Sequence, residues 1–305
     1  MIISITGGCG FIGKRLVKAH ITRGDEVRVL SRRKIMGTQN DIHYFRADLS
    51  TNNGDLHGFV EGVDILYHCA AELYDEELME TLHVRGTRHL LDAAKGNVKR
   101  WVQLSSVGAY GVYRNGVVNE ATSENPTGVY EKTKTEADIL LRKSGLPYVI
   151  LRPSNVFALT MNNQSLFKLV KMIQNGLFFY IGRAGATANY VHVEDVVDAL
   201  VVCGYNNKAL GNTYNLSQNI EIEQMVNSIL TGLKIFRVVP RFPEILVKRL
   251  VRIFGKLPKF PLTVSRINAL TGHCHYDSTK IINELGFEFH LSLESRFVEF
   301  ASKVS

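Results

Sequence analysis

The chain has 305 residues, 45% of them hydrophobic, and a formal charge of +7, which alone does not choose between nucleic acid, a membrane surface and an acidic small molecule. This length and apolar content predict a globular protein with a large core, and no apolar run reaches the roughly 20 residues that span a bilayer. No basic region precedes a hydrophobic stretch at the N-terminus, and the four cysteines lack disulfide or zinc-site spacing, so we expect a cytoplasmic protein without a bound metal.

Short β-rich runs alternate with helical patterns in the first half of the chain. The predicted strands cover residues 2–6, 26–30, 42–46, 64–68, 101–104 and 148–151. Alternation of this kind implies crossover connections, and therefore a doubly wound α/β domain with a parallel sheet and helices on both faces. Further along we predict a helix over 165–174, a strand over 178–181, a helix over 193–202 and a strand over 213–216. From residue 221 the pattern is mainly helical, apart from a short strand predicted over 236–239.

A glycine-rich turn follows the first predicted strand and opens a helix predicted over residues 11–22. Its glycines are Gly7, Gly8, Gly10 and Gly13. Glycine permits the tight turn, lets the backbone approach a pyrophosphate and allows the helix to pack closely on the sheet. The free amides at the helix N-terminus then face the phosphates. The position after the first strand favours a dinucleotide site over an ordinary tight turn.

The second predicted strand is followed by Ser31, Arg32 and Arg33. Enzymes that prefer NAD place a carboxylate there to bind the adenosine ribose, and this chain has none. Two guanidinium groups can instead clasp a 2′-phosphate, so the sequence favours NADP, with NAD still possible. The alternative is that both arginines are merely solvated.

Asp48 follows the third predicted strand. We expect its carboxylate to accept a hydrogen bond from the adenine amino group. An equally good interpretation makes it the N-cap of a helix over residues 51–60.

Tyr130 and Lys134 stand four residues apart in a predicted helix, so both side chains share one face. A lysine ammonium near a phenol stabilises the phenolate and lowers its pKa, which would make Tyr130 a usable acid or base near neutral pH. Ser105 and Ser106 follow the strand predicted over 101–104, at the sheet edge where α/β proteins bind ligands. A serine there can hold a substrate oxygen against Tyr130, and the three groups together predict hydride-transfer chemistry.

These motifs resemble those of the extended short-chain dehydrogenase/reductases, of the NAD-dependent epimerase/dehydratase kind. They occur in the family's order over nearly the whole chain, at residues 6–13, 48–49, 68–71, 86–87, 105–111, 130–134, 152–157 and 190–196. The resemblance implies a Rossmann domain over residues 1–157 and a smaller, mainly helical substrate domain over 158–305, with residues 185–217 returning partly to the sheet. It also implies homodimers, formed through the helices that carry Tyr130 and Gly86-Thr87.

The resemblance assigns roles to individual residues. The catalytic serine lies four residues before the Tyr110-Gly111 pair, which selects Ser106 over Ser105. Tyr130 would be the general acid/base, Lys134 its electrostatic partner, and Asn155 a residue near the diphosphate side of the substrate. His192 belongs to a segment that is usually structural. The expected cofactor contacts are Gly7, Gly10, Phe11, Ile12, Gly13, Ser31, Arg32, Arg33, Asp48, Leu49, Cys69, Ala70, Ala71, Tyr130, Lys134 and Pro153.

The chain departs from the family pattern at several positions. Val107-Gly108 stands where the 4,6-dehydratases have an Asp-Glu pair, which argues against dehydration. Ala188 replaces an arginine that pairs with a sugar diphosphate, and residues 270–273 lack the Arg-x-Gly-Asp motif often found there. His83 replaces the customary asparagine before Gly86, and we interpret it as a packing change that satisfies a local hydrogen bond.

Residues 242–260 combine apolar and basic side chains at helical spacing. The apolar ones are Ile245, Leu246, Leu250, Ile253 and Phe254, and the basic ones are Lys248, Arg249, Arg252, Lys256 and Lys259. We favour a helix that caps the substrate pocket with its apolar face buried and its charges solvated. The alternative is a helix that rests on an anionic membrane surface.

Together these features predict an NAD(P)-dependent enzyme that acts on a secondary alcohol or ketone of a sugar, carried on a nucleotide, as a 4-epimerase or a 4-keto reductase. An alternative is a reductase or dehydrogenase of a hydrophobic, sterol-like or flavonoid-like alcohol. A rival of another class is a non-catalytic dinucleotide sensor or an RNA-binding regulator on the same fold. The three predicted catalytic groups favour an enzyme without a nucleic-acid partner.

Overall fold

The computed structural model describes residues 1–33, 42–254 and 263–304. Its strands are β1 (Ile2–Thr6), β2 (Glu26–Ser31), β3 (Ile42–Asp48), β4 (Asn53–Gly54), β5 (Ile65–His68), β6 (Trp101–Leu104), β7 (Asn115–Val118), β8 (Tyr148–Pro153), β9 (Asn155–Phe157), β10 (Tyr180–Ile181), β11 (Thr187–His192), β12 (Asn212–Leu216), β13 (Gln218–Glu221), β14 (Arg241–Phe242) and β15 (His273–Tyr276).

The α-helices are α1 (Gly13–Thr22), α2 (Leu56–Val60), α3 (Glu76–Met79), α4 (Gly86–Ala94), α5 (Val129–Lys143), α6 (Ser165–Gln174), α7 (Val193–Tyr205), α8 (Ile222–Leu233), α9 (Glu244–Phe254), α10 (Val264–Leu270), α11 (Thr279–Leu285) and α12 (Leu293–Val304). A π-helical segment, Glu80–Arg85, joins α3 to α4. None of the helices within the described ranges is long and apolar enough to cross a bilayer.

The central sheet has the strand order β12-β8-β6-β5-β1-β2-β3-β4. Its strands pair in parallel, except for the short antiparallel β3–β4 pair. Helices cover both faces: α1 and α7 pack in one apolar cluster with the sheet, and α2 and α4 pack in another. The predicted doubly wound α/β fold is confirmed.

The glycine turn lies at the centre of this sheet because of where β1 stands in the strand order. Strand β1 pairs with β2 on one side and with β5 on the other. Its apolar residues Ile3 and Ile5 are fully buried, which fixes the strand between helix layers. The loops after β1, β2, β5 and β6 therefore all emerge at one edge of the sheet, where ligands bind in such folds.

A smaller lobe has its own apolar core. Helices α6, α8 and α12 contribute to this core together with a three-stranded sheet in the order β13-β11-β9. Phe157 of β9 stacks on Phe297 of α12 with ring centroids 5.1 Å apart. Helix α7 and strand β12, which follow β11, return to the large sheet.

Most predicted elements differ from the structure by a few residues at one end, and one of them does not form. The helix predicted over 11–22 begins at Gly13, and the strand predicted over 178–181 is limited to Tyr180–Ile181. The helix predicted over 51–60 begins at Leu56, because β4 precedes it. The strand predicted over 236–239 is wrong: the side chains of Phe236 and Val238 are exposed, and the strand that forms, β14, comes after them.

Candidate functional site

The glycine turn after β1 is closed to side chains. Gly7 has a φ of +67°, and a Cβ on it would lie 2.8 Å from the amide nitrogen of Ala70. A Cβ on Gly13 would lie 2.1 Å from the carbonyl oxygen of Gly7, and one on Gly8 would lie 2.8 Å from Val29. These contacts explain why glycine is needed for the turn and for close approach of α1 to the sheet.

The N-terminus of α1 offers free amides beside that turn. No side chain caps it, and the amides of Phe11 and Ile12 have no hydrogen-bond partner in the part of the chain that the structure describes. A Cβ on Gly10 would come within 3.1 Å of the Gly7 oxygen, a tight contact with the turn itself, and would approach no other described atom within 4 Å. Unpaired amides and a helix N-terminus suit a pyrophosphate, so the residues present fit a dinucleotide.

Three residues lie at the end of β2, where the adenosine ribose would be recognised. Ser31 is the last residue of the strand, and its Oγ accepts a hydrogen bond from the Arg33 amide at 3.2 Å. Arg32 and Arg33 are exposed. Arg32 lies near Glu72. The pKa of the Glu72 carboxyl is lowered, chiefly by a hydrogen bond from the Tyr74 amide and also by the charge of Arg32, although burial acts in the opposite direction.

Asp48 ends β3, and Leu49 follows it. The Asp48 carboxylate accepts hydrogen bonds from the amide and the hydroxyl of Ser50, at 2.9 and 2.6 Å. The cap of helix α2 is Asp55, whose side chain accepts from the Gly58 amide, so the interpretation of Asp48 as a helix cap is wrong. Leu49 is buried in the cluster that includes α4.

Cys69, Ala70 and Ala71 follow strand β5 and lie next to the glycine turn, since a Cβ added to Gly7 would lie only 2.8 Å from the Ala70 amide nitrogen. Burial raises the pKa of the Cys69 thiol to about 12, so it stays protonated at neutral pH. The thiol is thus a packing group.

A buried chain of hydrogen bonds, which the sequence did not reveal, starts at this strand end. The Ala70 amide donates to Thr6 Oγ1 at 3.2 Å, and Thr6 Oγ1 lies 2.7 Å from His68 Nδ1. His68 Nε2 lies 3.1 Å from Thr87 Oγ1, which donates to the carbonyl of His83. Burial holds the pKa of His68 well below its usual range, so a neutral imidazole relays this chain. This series of hydrogen bonds connects the glycine turn to the π-helical segment that carries His83.

The two serines after β6 have different surroundings. Ser105 is buried, and its hydroxyl donates to the Asp138 carboxylate at 2.7 Å. The same carboxylate oxygen is 2.9 Å from the Arg152 guanidinium. Ser106 is half-buried, and its Oγ accepts from the Gly108 amide at 3.1 Å, which leaves its own proton available. Only the Ser106 hydroxyl therefore has a hydrogen bond to offer.

Tyr130 and Lys134 lie one turn apart near the start of α5, next to the short 3-10 helix Val107–Tyr110. Lys134 is buried, and its Nζ donates to the carbonyl of Leu104 at 2.6 Å. Burial lowers the pKa of Lys134 and raises that of Tyr130 to about 12. The Tyr130 pKa thus shifts opposite to the predicted direction in the protein without its cofactor, because burial raises it and the charges of Glu131 and Asp138 add to that effect.

His83 lies behind Tyr130 in the π-helical segment. Its Nε2 accepts a hydrogen bond from the Glu72 amide at 2.8 Å, and its Nδ1 lies 2.8 Å from Thr133 Oγ1. Burial, followed by the charge of Lys134, lowers its pKa to about 3. Thr133 was not anticipated, because its contact with His83 joins residues 50 positions apart in the chain.

The remaining predicted residues lie on β8, β9 and β11. Pro153 ends β8 and is buried, while Asn155 on β9 is exposed and donates to the Asn189 carbonyl at 3.0 Å. His192 caps α7 through its Nδ1. Ala188 packs against the apolar core of the smaller lobe.

Helix α9 differs from the predicted pocket helix. Val247 and Val251 are buried in a small cluster with Ile181 and Ile267. The apolar residues expected to be buried are exposed instead, namely Ile245, Leu246, Leu250 and Ile253. The prediction that these four cover the pocket is wrong, since α9 packs through the opposite face. Lys256 and Lys259 lie outside the described residues.

The model of the NAD dependent epimerase/dehydratase family matches residues 3–217, about two thirds of the chain. The chain belongs to that family. It is therefore an NAD-dependent enzyme, and the resemblance inferred from its motifs is confirmed.

The chain is also similar to individual members of this group. A putative dihydroflavonol 4-reductase of Synechocystis sp. is 27% identical over 92% of this chain and 88% of its own. A short-chain dehydrogenase/reductase superfamily protein from Agrobacterium tumefaciens, solved with bound NAD, superposes with a TM-score of 0.76 at 22% identity and covers 100% of this chain and 97% of its own. UDP-glucose 4-epimerase from Thermotoga maritima, solved with UDP-glucose, has a TM-score of 0.73 at 21% identity and covers 99% of both chains. A cytoplasmic location and homodimer formation stay predictions.

Proposed function

We propose that the chain moves a hydride between NAD(P) and a secondary alcohol or ketone of a nucleotide sugar, as a 4-epimerase or a 4-keto reductase. The observation that carries this proposal is the placement of Ser106 and Tyr130. The short helix after Ser106 packs on the first turn of α5, and a Cβ on Gly108 would lie 2.6 Å from Cγ of Glu131, the neighbour of Tyr130. This packing supports a site in which the Ser106 hydroxyl and the Tyr130 phenol lie together at the edge of the sheet that carries the glycine turn.

Each side chain has a role that its surroundings support. Ser106 donates its free proton to the substrate oxygen and orients it. Tyr130, with a pKa near 12, starts as a phenol and donates a proton to that oxygen when a ketone is reduced. Lys134 is held by the Leu104 carbonyl and keeps a positive charge near the site, which favours the phenolate left behind. NAD(P) bound along the glycine turn supplies or accepts the hydride.

The substrate class rests on the family and on the neighbouring structure that was solved with UDP-glucose. The lack of room at Gly108 supports epimerisation or reduction over dehydration. A carboxylate side chain at this position would require Glu131 to move. Val107 and Gly108 themselves supply neither carboxylate of the Asp-Glu pair that the resemblance associates with 4,6-dehydration.

We infer a preference for NADP from the end of β2. Arg32 and Arg33 are exposed there, and the described part of this strand end has no carboxylate of its own to bind a free ribose hydroxyl. The comparison structure from Agrobacterium carries NAD, so both cofactors belong in the test.

A hydrophobic alcohol is the second candidate substrate, and Ala188 favours it. In place of a cation that would pair with a diphosphate, this position presents a methyl group packed among apolar side chains. The similarity to a putative dihydroflavonol 4-reductase over most of the chain agrees with this reading.

A substrate panel tests the proposal. The purified protein is incubated with NADPH or NADH and, separately, with 4-keto nucleotide sugars, 4-hydroxy nucleotide sugars and hydrophobic ketones. Stoichiometric loss of NADPH with a keto sugar identifies a reductase, and interconversion of 4-hydroxy sugars without net loss identifies an epimerase. Turnover of hydrophobic ketones alone supports the second candidate. Dinucleotide binding without turnover of any substrate would contradict both.

The Tyr130→Phe variant tests the proposed proton donor in this panel. It should reduce turnover by about 10²- to 10⁴-fold, because it removes the proton donor, and should leave cofactor affinity nearly unchanged. Tyr113→Phe removes a hydroxyl from an exposed tyrosine and should change neither quantity. Retained turnover in Tyr130→Phe would contradict the proposed mechanism.

A further inference from the structure

Helix α9 has two apolar faces, and only one of them is covered. Val247 and Val251 are buried against β10 and α10. Ile245 and Ile253 are each 68% exposed, and Leu246 and Leu250 are each 51% exposed. Residues four and eight apart share one side of a helix, so these four side chains form a continuous apolar strip that faces solvent.

The segment before α9 and the helix beside it also expose large apolar side chains. In the segment before α9, Phe242 is 45% exposed, while Phe236 and Val238 are almost completely exposed. Val264 of α10, the helix that packs beside α9, is also exposed. We call residues 236–253 the α9 surface. Exposure of this many large apolar side chains along one short stretch of a chain marks an interaction site.

The α9 surface is also strongly basic. It contains five basic residues and one acidic residue, Glu244. Glu244 pairs with Lys248, and Arg241 pairs with Glu223 of α8. Arg249 and Arg252 are exposed and form no ion pair within the described ranges. Arg249 lies one turn from both Ile245 and Ile253, so a cation stands within the apolar strip itself.

We propose that the α9 surface docks on an anionic phospholipid bilayer. An amphipathic helix with aliphatic side chains interspersed with arginine lies in the lipid interface, where the apolar groups enter the acyl region and the guanidinium groups reach the phosphates. Each basic residue near an anionic membrane strengthens binding by about fivefold.

The positive charge of the α9 surface favours a bilayer over a second copy of the chain as its partner. A two-fold pairing of this surface would bring Arg249 and Arg252 of both copies together, and these like charges would repel each other. An anionic membrane attracts the same two guanidinium groups. The contact is peripheral, because no helix in the described residues spans a bilayer.

Vesicle cosedimentation of the full chain tests the proposal. We expect binding to vesicles of equal parts phosphatidylcholine and phosphatidylglycerol to exceed binding to pure phosphatidylcholine by about tenfold or more, and to weaken with added salt. Equal binding to both vesicles, or no binding to the anionic ones, would overturn it.

Two variants separate the apolar and the charged contributions. Leu250→Ser with Ile253→Ser should weaken anionic-vesicle binding by more than about tenfold, and Arg249→Glu with Arg252→Glu by at least about 25-fold. The matched controls are Ile282→Ser, at a position 40% exposed on α11, and Lys143→Glu with Lys208→Glu, which make the same change in net charge. Thermal unfolding and NADH binding should be unchanged in all four.

The controls also define what would overturn the assignment. If Lys143→Glu with Lys208→Glu weakens binding as much as the α9 charge reversal, attraction is a property of the whole protein and the assigned surface is wrong. If analytical ultracentrifugation shows a dimer that dissociates in Leu250→Ser with Ile253→Ser, a second copy covers the surface and the bilayer proposal is wrong.

Discussion

The imidazole of His83 meets the ring of Tyr130 edge to face, with centroids 5.6 Å apart and 86° between the ring planes. His83 is itself fixed on both ring nitrogens. Because Nε2 accepts from the Glu72 amide, the neutral ring carries its proton on Nδ1, which donates to Thr133. Thr133 in turn donates to the carbonyl of Val129, in the turn of α5 that carries Tyr130. We therefore expect His83 to act as a positioning residue for the phenol.

Replacing His83 should lower turnover more than cofactor affinity. His83→Ala removes the edge contact and both hydrogen bonds, so Tyr130 loses its fixed orientation, and kcat should fall by about 10- to 100-fold. His83→Asn can still donate and accept, and should recover much of the loss. Steady-state kinetics with the substrate found in the panel measures kcat and KM separately. Unchanged kcat in His83→Ala, with a normal melting temperature, would show that the ring contact is only packing.

The same histidine should make stability depend on pH. Its pKa is about 3 in the folded protein and 6.5 when unperturbed, so below pH 6.5 the unfolded chain binds more protons than the folded one. The stability that the neutral ring contributes is fully present above pH 6.5 and is lost as the pH falls toward 3. The free energy of unfolding falls by up to about 1.4 kcal/mol for each pH unit in this range. Urea unfolding of the wild type and of His83→Asn should therefore show a stability difference that shrinks between pH 6.5 and pH 4. A constant difference over this range would contradict the shift.

The cofactor half of the site was predictable because its determinants are local. The glycine turn, β1 and α1 follow one another in the chain, and the glycines are required by contacts within that unit and with the next strand. The contacts of His83 were not predictable, because Glu72 and Thr133 approach it only when α5 packs beside the π-helical segment. The prediction that His83 satisfies local hydrogen bonds is correct, but it did not include the ring contact with Tyr130.

The smaller lobe shows where composition misleads. Residues 236–239 are aromatic and β-branched, as strands often are, but Phe236 and Val238 have no sheet to pack against and remain exposed. In α9 both faces are apolar, so the sequence could not tell which one the fold covers. Only the positions of β10 and α10 decide that Val247 and Val251 are the buried pair.

Ser105 and Ser106 should respond in opposite ways to loss of the hydroxyl. Ser105→Ala removes a buried donor from the Asp138 carboxylate, and should lower the free energy of unfolding by about 1–3 kcal/mol. Ser106→Ala should leave stability nearly unchanged, since its Oγ only accepts from the nearby Gly108 amide, and should reduce kcat by about tenfold or more. Chemical unfolding and steady-state kinetics on both variants check this. If Ser105→Ala is fully stable but inactive, Ser105 and not Ser106 is the catalytic serine.

Arg32 and Arg33 should discriminate between the two dinucleotides. A guanidinium bonded to a 2′-phosphate contributes about 1.5–3 kcal/mol, so Arg32→Ala with Arg33→Ala should weaken NADPH binding by about 10- to 100-fold. NADH has no 2′-phosphate, and its affinity should change by less than about threefold. Lys143→Ala with Lys208→Ala removes two exposed cations elsewhere and serves as the control for net charge. Fluorescence titration with both cofactors gives the ratio. Equal losses for NADPH and NADH would mean that the two arginines attract any dinucleotide, and that the preference for NADP is wrong.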